Sequence, residues 1–423
     1  MGHVNEDCGR TPPPVAFLDK TPNPFLTRQQ PAAKPHRRDL MNRNFWAFLA
    51  SLGAAGLLAG PASAQDAIRI GVTQPLTGAF AASGNYVAQG AKIAEDYVNA
   101  NGGVLGRKIQ LVIEDNKSNP TEAVATAEKL IAKDKVPVLM GAWSSTLTLA
   151  VMPKLMEYGV PMLVETSSSG KITTSGNPWI FRISPTSEME ARAFAPMAKA
   201  LGIRKADFLS TNNDFGLGAA KEFSEMLKAQ GVEIGIMETM DPKATDFSAQ
   251  LAKIKASGGD TLFVTTAVEQ ITLILKQAKD QQLKARIITT GGSNSPDQLI
   301  QQAGDAANGS LHLVFFTPWF PEAVKNPDLA KQFVTEWNAR KLPVGGLTEG
   351  FRGWDGVVTI VEAIKSAGKA EPGAIQKALW NVKVRGINGD IAFIKQGPAG
   401  KESAQNIPSV YLVKIENGKV ARN

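Results

Sequence analysis

The stretch Val136-Pro137-Val138-Leu139-Met140-Gly141-Ala142-Trp143-Ser144-Ser145-Thr146 runs from an apolar strand into a hydroxyl-bearing turn and then into a helical period continued by Leu149, Met152 and Leu155. The same order returns at Val160-Pro161-Met162-Leu163-Val164, followed by Glu165-Thr166-Ser167-Ser168-Ser169-Gly170. A lone Ser or Thr in such a place does no more than cap a helix or a turn. Two clusters at successive strand ends of one sheet point further. Hydroxyls and free backbone N–H groups beside a helix N-terminus form a cradle for a small anion such as a carboxylate.

Strands alternate with helices on both sides of this stretch. Ile68-Arg69-Ile70-Gly71-Val72 is a buried-strand run, followed by a helix with Val87, Ala91, Ala94 and Val98 inward. The strand 109–113 precedes a helix announced by Asn119 as N-cap, Pro120 at the first helical position and Glu122 at the third. Val124, Ala127 and Ile131 form its apolar face, and Ile180-Phe181-Arg182-Ile183 closes the block. The pattern then restarts with strands at 207–210, 231–236 and 261–264. Helices between them run over 217–230 and from Thr245-Asp246, the second with Phe247, Leu251 and Ile254 inward. Such alternation predicts parallel βαβ units, hence an α/β fold of two doubly wound parallel-sheet lobes joined by several crossings around a cleft.

Later segments return to complete the lobes: helices over 329–337 and 348–364, and a strand at 410–413. The expected division has an N-terminal lobe of 65–184 with about 318–390 and a C-terminal lobe of about 185–317 with about 391–423.

Residues 1–64 look like addressing. The apolar run from Phe45 to Gly60 is too short to span a bilayer, Arg43 precedes it, and Ala62-Ser63-Ala64 is a small-x-small cleavage site. This reads as a signal peptide over 41–64 starting at Met41, behind an upstream extension over 1–40. The rival reading takes Arg37-Arg38-Asp39-Leu40-Met41 as a twin-arginine export signal. Either way the product is expected to be exported and soluble in the periplasm after cleavage near Ala64.

Without those 64 residues, which hold seven Lys or Arg and four Asp or Glu, 39 basic residues face 35 acidic ones, a formal charge of +4. The charges are interspersed and no basic stripe carries aromatics, so nothing calls for nucleic acid. The only Cys, Cys8, lies in the leader, so the expected product has no thiols and depends on its core.

Enzyme signatures are missing. Asn101-Gly102-Gly103-Val104-Leu105-Gly106 follows a helix and precedes a strand, the reverse of a dinucleotide fingerprint, and reads as a helix stop and turn. The stretch 71–78 lacks the Lys-Ser/Thr of a P-loop. His312 is alone in an apolar run, a structural position, and no Cys/His cluster exists for zinc. Ser168-Ser169-Gly170-Lys171 fits S-x-x-K without its companion motifs. No catalysis, cofactor or metal is expected. Trp143 on the cradle loop and Phe215 in Asn212-Asn213-Asp214-Phe215-Gly216 are either ordinary packing or rings that face a ligand from both lobes. Phe80, Trp319 and Trp354 are weaker candidates of the same kind.

Ile70-Gly71-Val72 with Pro75-Leu76-Thr77-Gly78, the 99–106 turn, the 141–146 stretch and Phe181-Arg182-Ile183-Ser184-Pro185 together carry a resemblance, extended by Asp214-Phe215-Gly216 and Asp246-Phe247-Ser248. The chain resembles type I periplasmic binding proteins of the leucine/isoleucine/valine class over all of 65–423. The resemblance implies a venus-flytrap receptor, expected as a monomer, that captures a small carboxylate-bearing ligand and delivers it to the permease subunits of an ABC importer. Carried over, it implies a carboxylate held by Ser145 and Ser168 with Thr146 beside them, and an ammonium touching the carbonyl of Thr166. Phe215 keeps the ring of a usual Tyr without its hydroxyl. A second Tyr falls near Ala267 and an ammonium-pairing Glu near Gly291, and both are missing. Asp214, Glu165 and Glu269 are the candidate substitutes. A disulfide of some relatives falls near Ser118 and Ser144, both Ser here. The expected ligand is a branched-chain or other apolar amino acid. The alternative is an aromatic or aliphatic carboxylate without an ammonium, stacked between Trp143 and Phe215. A periplasmic solute sensor is the alternative to a transport component.

Overall fold

The computed structural model describes residues 66–423; the leader read over 1–64, with its cleavage point and both export signals, lies outside the described residues. The first block begins with β1 (Ile68–Gln74), α1 (Ala81–Ala100) and β2 (Ile109–Asp115). It continues through α2 (Pro120–Glu128), β3 (Leu139–Gly141), α3 (Ser145–Tyr158), β4 (Met162–Val164), α4 (Lys171–Thr174) and β5 (Ile180–Arg182). These strands pair in parallel in the order β5-β4-β3-β1-β2. The capping signal of α2 works as its sequence implies: the Asn119 side chain accepts from the N–H groups of Thr121 and Glu122.

The second block starts at α5 (Ser187–Ala200), β6 (Lys205–Thr211), α6 (Asp214–Ala229) and β7 (Glu233–Met240). Helix α7 (Ser248–Ser257), β8 (Thr261–Thr265), α8 (Val268–Asp280), β9 (Arg286–Thr289), α9 (Pro296–Ala303) and β10 (Leu311–Val314) follow. Its parallel order, β10-β9-β8-β6-β7, repeats that of the first block. In each sheet the winding reverses beside the first strand, between β1 and β3 and between β6 and β8. Loops at the strand C-termini diverge there and leave a crevice.

Side chains alternate between two layers in each lobe, as strand geometry requires. Ile68, Ile70, Val72 and Leu163 pack toward α1, while Leu139, Met162 and Val164 face α2 and α3. In the second lobe Phe208 and Phe263 face α5 and α6, and Leu262 and Val264 face α7 and α8.

The chain then returns. Helices α10 (Pro327–Ala339), α11 (Leu347–Ala367) and α12 (Pro372–Leu379) precede the hairpin β11 (Val384–Gly386) and β12 (Gly389–Ile391). Helix α11 lies against α1 at backbone contact. A Cβ on Gly90 would fall 1.7 Å from the Gly350 carbonyl oxygen, and one on Gly353 would fall 2.0 Å from that of Val87. Only glycine permits this approach, which carries Tyr86, Glu349 and Arg352 to the inner edge of the first lobe.

The final stretch corrects the expected boundary at 391. Strands β13 (Ile394–Gln396) and β14 (Ser403–Gln405) join the first sheet, β14 pairing in parallel with β5 through Ala404 to Phe181 and Gln405 to Arg182. The buried Arg182 side chain adds a bond from Nε to Gln405 Oε1 at 2.6 Å. Only β15 (Tyr411–Glu416) and β16 (Lys419–Arg422) belong to the second sheet, antiparallel on β10 and on each other. The chain therefore crosses between lobes after β5, after β10 and after β14.

Candidate functional site

The loops after β3 and β4 lie side by side at the crevice, and their hydroxyls mostly bind one another. Ser167 Oγ donates to the Trp143 carbonyl at 2.8 Å and lies 2.8 Å from Thr148 Oγ1. Ser145 Oγ accepts from the Ser169 N–H at 3.1 Å, which leaves the Ser145 proton free to donate. Ser187 Oγ reaches Ser168 Oγ at 3.3 Å. Helix α3 starts beneath them with Ser144 as N-cap and no side-chain cap, so its first N–H groups stay available.

One buried cation organises this cradle. Arg182 Nη1 donates to the carbonyls of Ser167 at 3.2 Å and Ser169 at 2.6 Å, and Nη2 to Thr173 Oγ1 at 2.6 Å. Its partners are all neutral, and burial pushes its guanidinium down to about 9. A positive group thus stands directly behind loop 167–169, which favours an anion on the other side.

Trp143, Ser145, Thr166 and Ser168 line one cavity with Phe215 of the second lobe. Ser144, Ser167, Gly291 and Ser293 complete its wall; Ser144 and Ser167 belong to the hydroxyl clusters read in the sequence, Gly291 stands where the resemblance puts an ammonium-pairing Glu, and Ser293 was not singled out. The signal for the last two was legible: Gly291-Gly292-Ser293-Asn294-Ser295-Pro296 follows β9 as the hydroxyl clusters follow β3 and β4. The enclosed space is about 10 Å³. By that measure a single water needs roughly 10–15 Å³. Two buried polar atoms at the wall, Trp143 Nε1 and Thr166 Oγ1, have no hydrogen-bond partner among the described residues.

Thr146 stands apart from the cavity. Its hydroxyl donates to Asp214 Oδ2 at 3.1 Å and accepts from the Asp214 N–H at 3.3 Å, while Lys171 Nζ pairs with Asp214 Oδ1 at 3.0 Å. These contacts join the lobes. Thr146 also lines an open groove of about 310 Å³ outside the cavity, with Phe80 on one side and Asn213 and Lys243 on the other. The Trp143 ring stacks on Phe80 at 5.0 Å, and both pack with Ala267 of the second lobe.

None of the three substitute acids lines the cavity. Asp214 is engaged as described. Glu165 faces away, accepting from Gln74 Nε2 at 2.7 Å, and Glu269 accepts from the Ala82 N–H at 3.3 Å. At position 291 itself an acid is excluded by shape: with φ at +85°, a Cβ there would fall 2.4 Å from Phe215 Cζ. Trp319 and Trp354 serve elsewhere, the first donating from Nε1 to Asp297 and the second in the core against α10. His312 is structural as expected, with Nδ1 2.8 Å from Thr289 Oγ1 and Nε2 2.8 Å from Ser310 Oγ.

Residues 67–419 match the model of the periplasmic binding protein family. The chain belongs to that family. Among periplasmic binding proteins it is of the type I, leucine/isoleucine/valine class. It is 28% identical over 357 residues to the leucine-, isoleucine-, valine-, threonine- and alanine-binding protein of Pseudomonas aeruginosa, covering 82% of this chain and 92% of that one. It is similar in structure to a leucine-binding protein, LivK, of Thermotoga maritima, with TM-score 0.74, 27% identity, and 84% and 97% of the two chains covered. It is similar to the same degree to a solute-binding protein of an ABC transporter from Rhodopseudomonas palustris in complex with 3,4-dihydroxybenzoic acid. There the TM-score is 0.73, with 26% identity and coverage of 84% and 95%. The cavity of this chain lies between its two lobes at strand C-termini.

Proposed function

We propose that this periplasmic binding protein is the exported solute-binding component of an ABC importer, delivering a small organic carboxylate without an ammonium group to membrane permease subunits. The observation that carries the ligand class is the cavity wall. It offers hydrogen-bond donors from Ser145, Ser168, Thr166 and Trp143 Nε1, with Arg182 behind them, and it holds no carboxylate. A ligand oxygen there meets donors on every side of the first lobe. An ammonium would forgo charged hydrogen bonds worth roughly 1.5–3 kcal/mol each. Trp143 and Phe215 face such a ligand as flat apolar surfaces. The relative bound to 3,4-dihydroxybenzoic acid supports this reading.

A second reading, a branched-chain or other apolar amino acid, is favoured by the leucine, isoleucine and valine binding of other relatives. It requires an acceptor for the ammonium, for which the carbonyl of Thr166 is the nearest candidate. Thermal shift against leucine, valine, benzoate and 3,4-dihydroxybenzoate separates the two. A ligand at 100 times its Kd stabilises by about 2.7 kcal/mol. Stabilisation by the aromatic acids, lost in the double variant Ser145→Ala with Ser168→Ala, is the expected result. Stabilisation by the amino acids alone refutes the first reading.

A further inference from the structure

Behind loop 291–293 lies a buried charge cluster that the cradle and the rings do not explain. Glu165 comes from the loop after β4, Glu190 from α5, Glu269 from α8, and Glu349 with Arg352 from α11. One oxygen of each carboxylate is bonded: Glu165 by Gln74, Glu190 by the Gly291 N–H at 2.7 Å, Glu269 by the Ala82 N–H and Glu349 by Ser83 Oγ at 3.4 Å. The second oxygen of each has no hydrogen-bond partner among the described residues. Arg352 is the one cation among them. Its Nη2 donates to the Gly292 carbonyl at 2.7 Å, while Nε lies 3.7 Å from Glu349 Oε2, too far for a hydrogen bond.

Loop 291–293 is thus gripped from two sides. Glu190, of its own lobe, holds the N–H of Gly291, and Arg352, of the other lobe, holds the next carbonyl. Gly291 and Ser293 of that loop face the ligand cavity. We propose that Arg352 and Glu190 are positioning residues of the ligand cleft, a cross-lobe clamp that seats loop 291–293 as the lobes close and takes up a proton in doing so. The proposal rests on reading the two lobes as a closing cleft and not on which carboxylate binds.

The proton follows from counting charges. Three buried carboxylates, Glu165, Glu190 and Glu349, share a single guanidinium away from water with the partly buried Glu269 beside Glu349, and one cation cannot neutralise them. Burial pushes Glu190 up to about 8 and Glu165 and Glu349 up to about 7, and it raises Glu269 as well. The surrounding titratable groups are no help. Asp355, one turn beyond Arg352, is pushed up to about 7 by burial, and Tyr86 on α1 is raised by burial and by the charges of Glu269 and Glu349. Separating the lobes withdraws Arg352 from Glu190 and Gly292 and admits water, where a carboxylate regains its ordinary range. Closure therefore binds protons, and the closed form gains on the open one as pH falls. Each proton taken up changes that ratio about tenfold per pH unit.

Distance measurement between two spin labels tests this without a known ligand. Thr121→Cys and Thr245→Cys are exposed on opposite lobes near the outer groove, and Cys8→Ser removes the only other thiol. The expected result is a short-distance population that grows as pH falls from 9 to 6. Glu190→Gln keeps an acceptor for the Gly291 N–H and needs no proton. It should enlarge the closed population at pH 9 and flatten the pH dependence by about one proton, tenfold per pH unit. Arg352→Gln should lower the closed-to-open ratio at least tenfold at every pH, with partial recovery in Arg352→Lys. Cooperative melting of each variant confirms that it is folded. A wild-type distribution that ignores pH, a Glu190→Gln slope equal to wild type, or an Arg352→Gln ratio equal to wild type overturns the clamp. Benzoate and leucine are added as probes in parallel. If neither shortens the distance while the pH dependence stands, the ligand reading fails and the clamp survives.

Discussion

Gly291→Ala separates two costs that the structure places at one position. The first is conformational and present in every folded state. Position 291 has φ of +85°, a region in which an L residue costs roughly 1–2 kcal/mol. The second is steric and lies within the second lobe, at the cavity wall: the new methyl would lie 2.4 Å from Phe215 Cζ and 2.5 Å from Cε2. Displacing an aromatic ring from a filled notch costs roughly 1–3 kcal/mol. Thermal melts without ligand read the two terms together as a fall of several degrees. Phe215→Ala removes the obstructing ring, so the steric part of the loss should largely vanish in the Phe215→Ala background, while the conformational part should remain. Titration calorimetry with whichever carboxylate stabilises the protein then reads whether the displaced ring weakens binding, as a ring at the cavity wall should. Equal melting losses in both backgrounds would show that the ring and the notch do not meet. An unchanged affinity in Gly291→Ala would remove Phe215 from the surroundings of the ligand.

Two further outcomes test the fold and its charges. Gly90→Ala should destabilise despite a helix-propensity gain of up to about 1 kcal/mol, because its Cβ would press on the Gly350 carbonyl; Gly218→Ala, in open space on α6, should keep that gain. Parallel denaturant titrations compare the two, and equal stabilities would refute the close contact of α1 and α11. The second outcome concerns pH. Glu165, Glu190, Glu349 and Asp355 have folded-state values raised by burial to about 7 or 8, so the folded state holds more protons than the unfolded one. Their contribution is fully present below the ordinary carboxylate range and is lost as pH rises through 7 to 8, so melting temperature should fall between pH 5.5 and 8.5. His312, pushed down to about 3 by burial, acts in the opposite direction below about 6.5, one group against four. Glu349→Gln should flatten the fall, and a melting curve that rises across this range would refute the buried acids.

The lobes were legible because each element carried its own signal. Ile70 and Val72 alternate inward, Asn119 caps with Pro120 behind it, and Phe247, Leu251 and Ile254 recur at helical spacing. Strands β13 and β14 carried none. They are three residues each, separated by Gly397, Pro398 and Gly400; β14 owes its place to pairing with β5 from more than 220 positions away, and β13 to pairing with β14. Local patterning does not encode such a partner. The cradle hydroxyls were legible for the reason the lobes were, since they follow strands at fixed places. Thr146 shares that pattern, yet its helix turns it toward Asp214, a direction set only once the second lobe is present. Glu190, Glu349 and Arg352 stood in the sequence as ordinary helical charges. Their burial arises where α5, α11 and loop 291–293 meet, and no single segment reports it.

The two lobes divide recognition unequally. On the first lobe the proposed anion site is built from groups that hold one another: Arg182 fixes the carbonyls of Ser167 and Ser169, and Ser145 accepts from the Ser169 N–H. That arrangement exists whether or not the second lobe is near, and any carboxylate meets it alike. The second lobe brings a ring and a glycine notch at Phe215 and Gly291, with no ionised group at the wall. Discrimination among carboxylates therefore falls to the second lobe, through the shape that Phe215 leaves and the seating of loop 291–293. In the proposed clamp that seating depends on Glu190 and Arg352, which do not line the cavity. A substitution confined to the cradle should weaken all carboxylates together, whereas one at Phe215, Gly291 or the clamp should change their ranking.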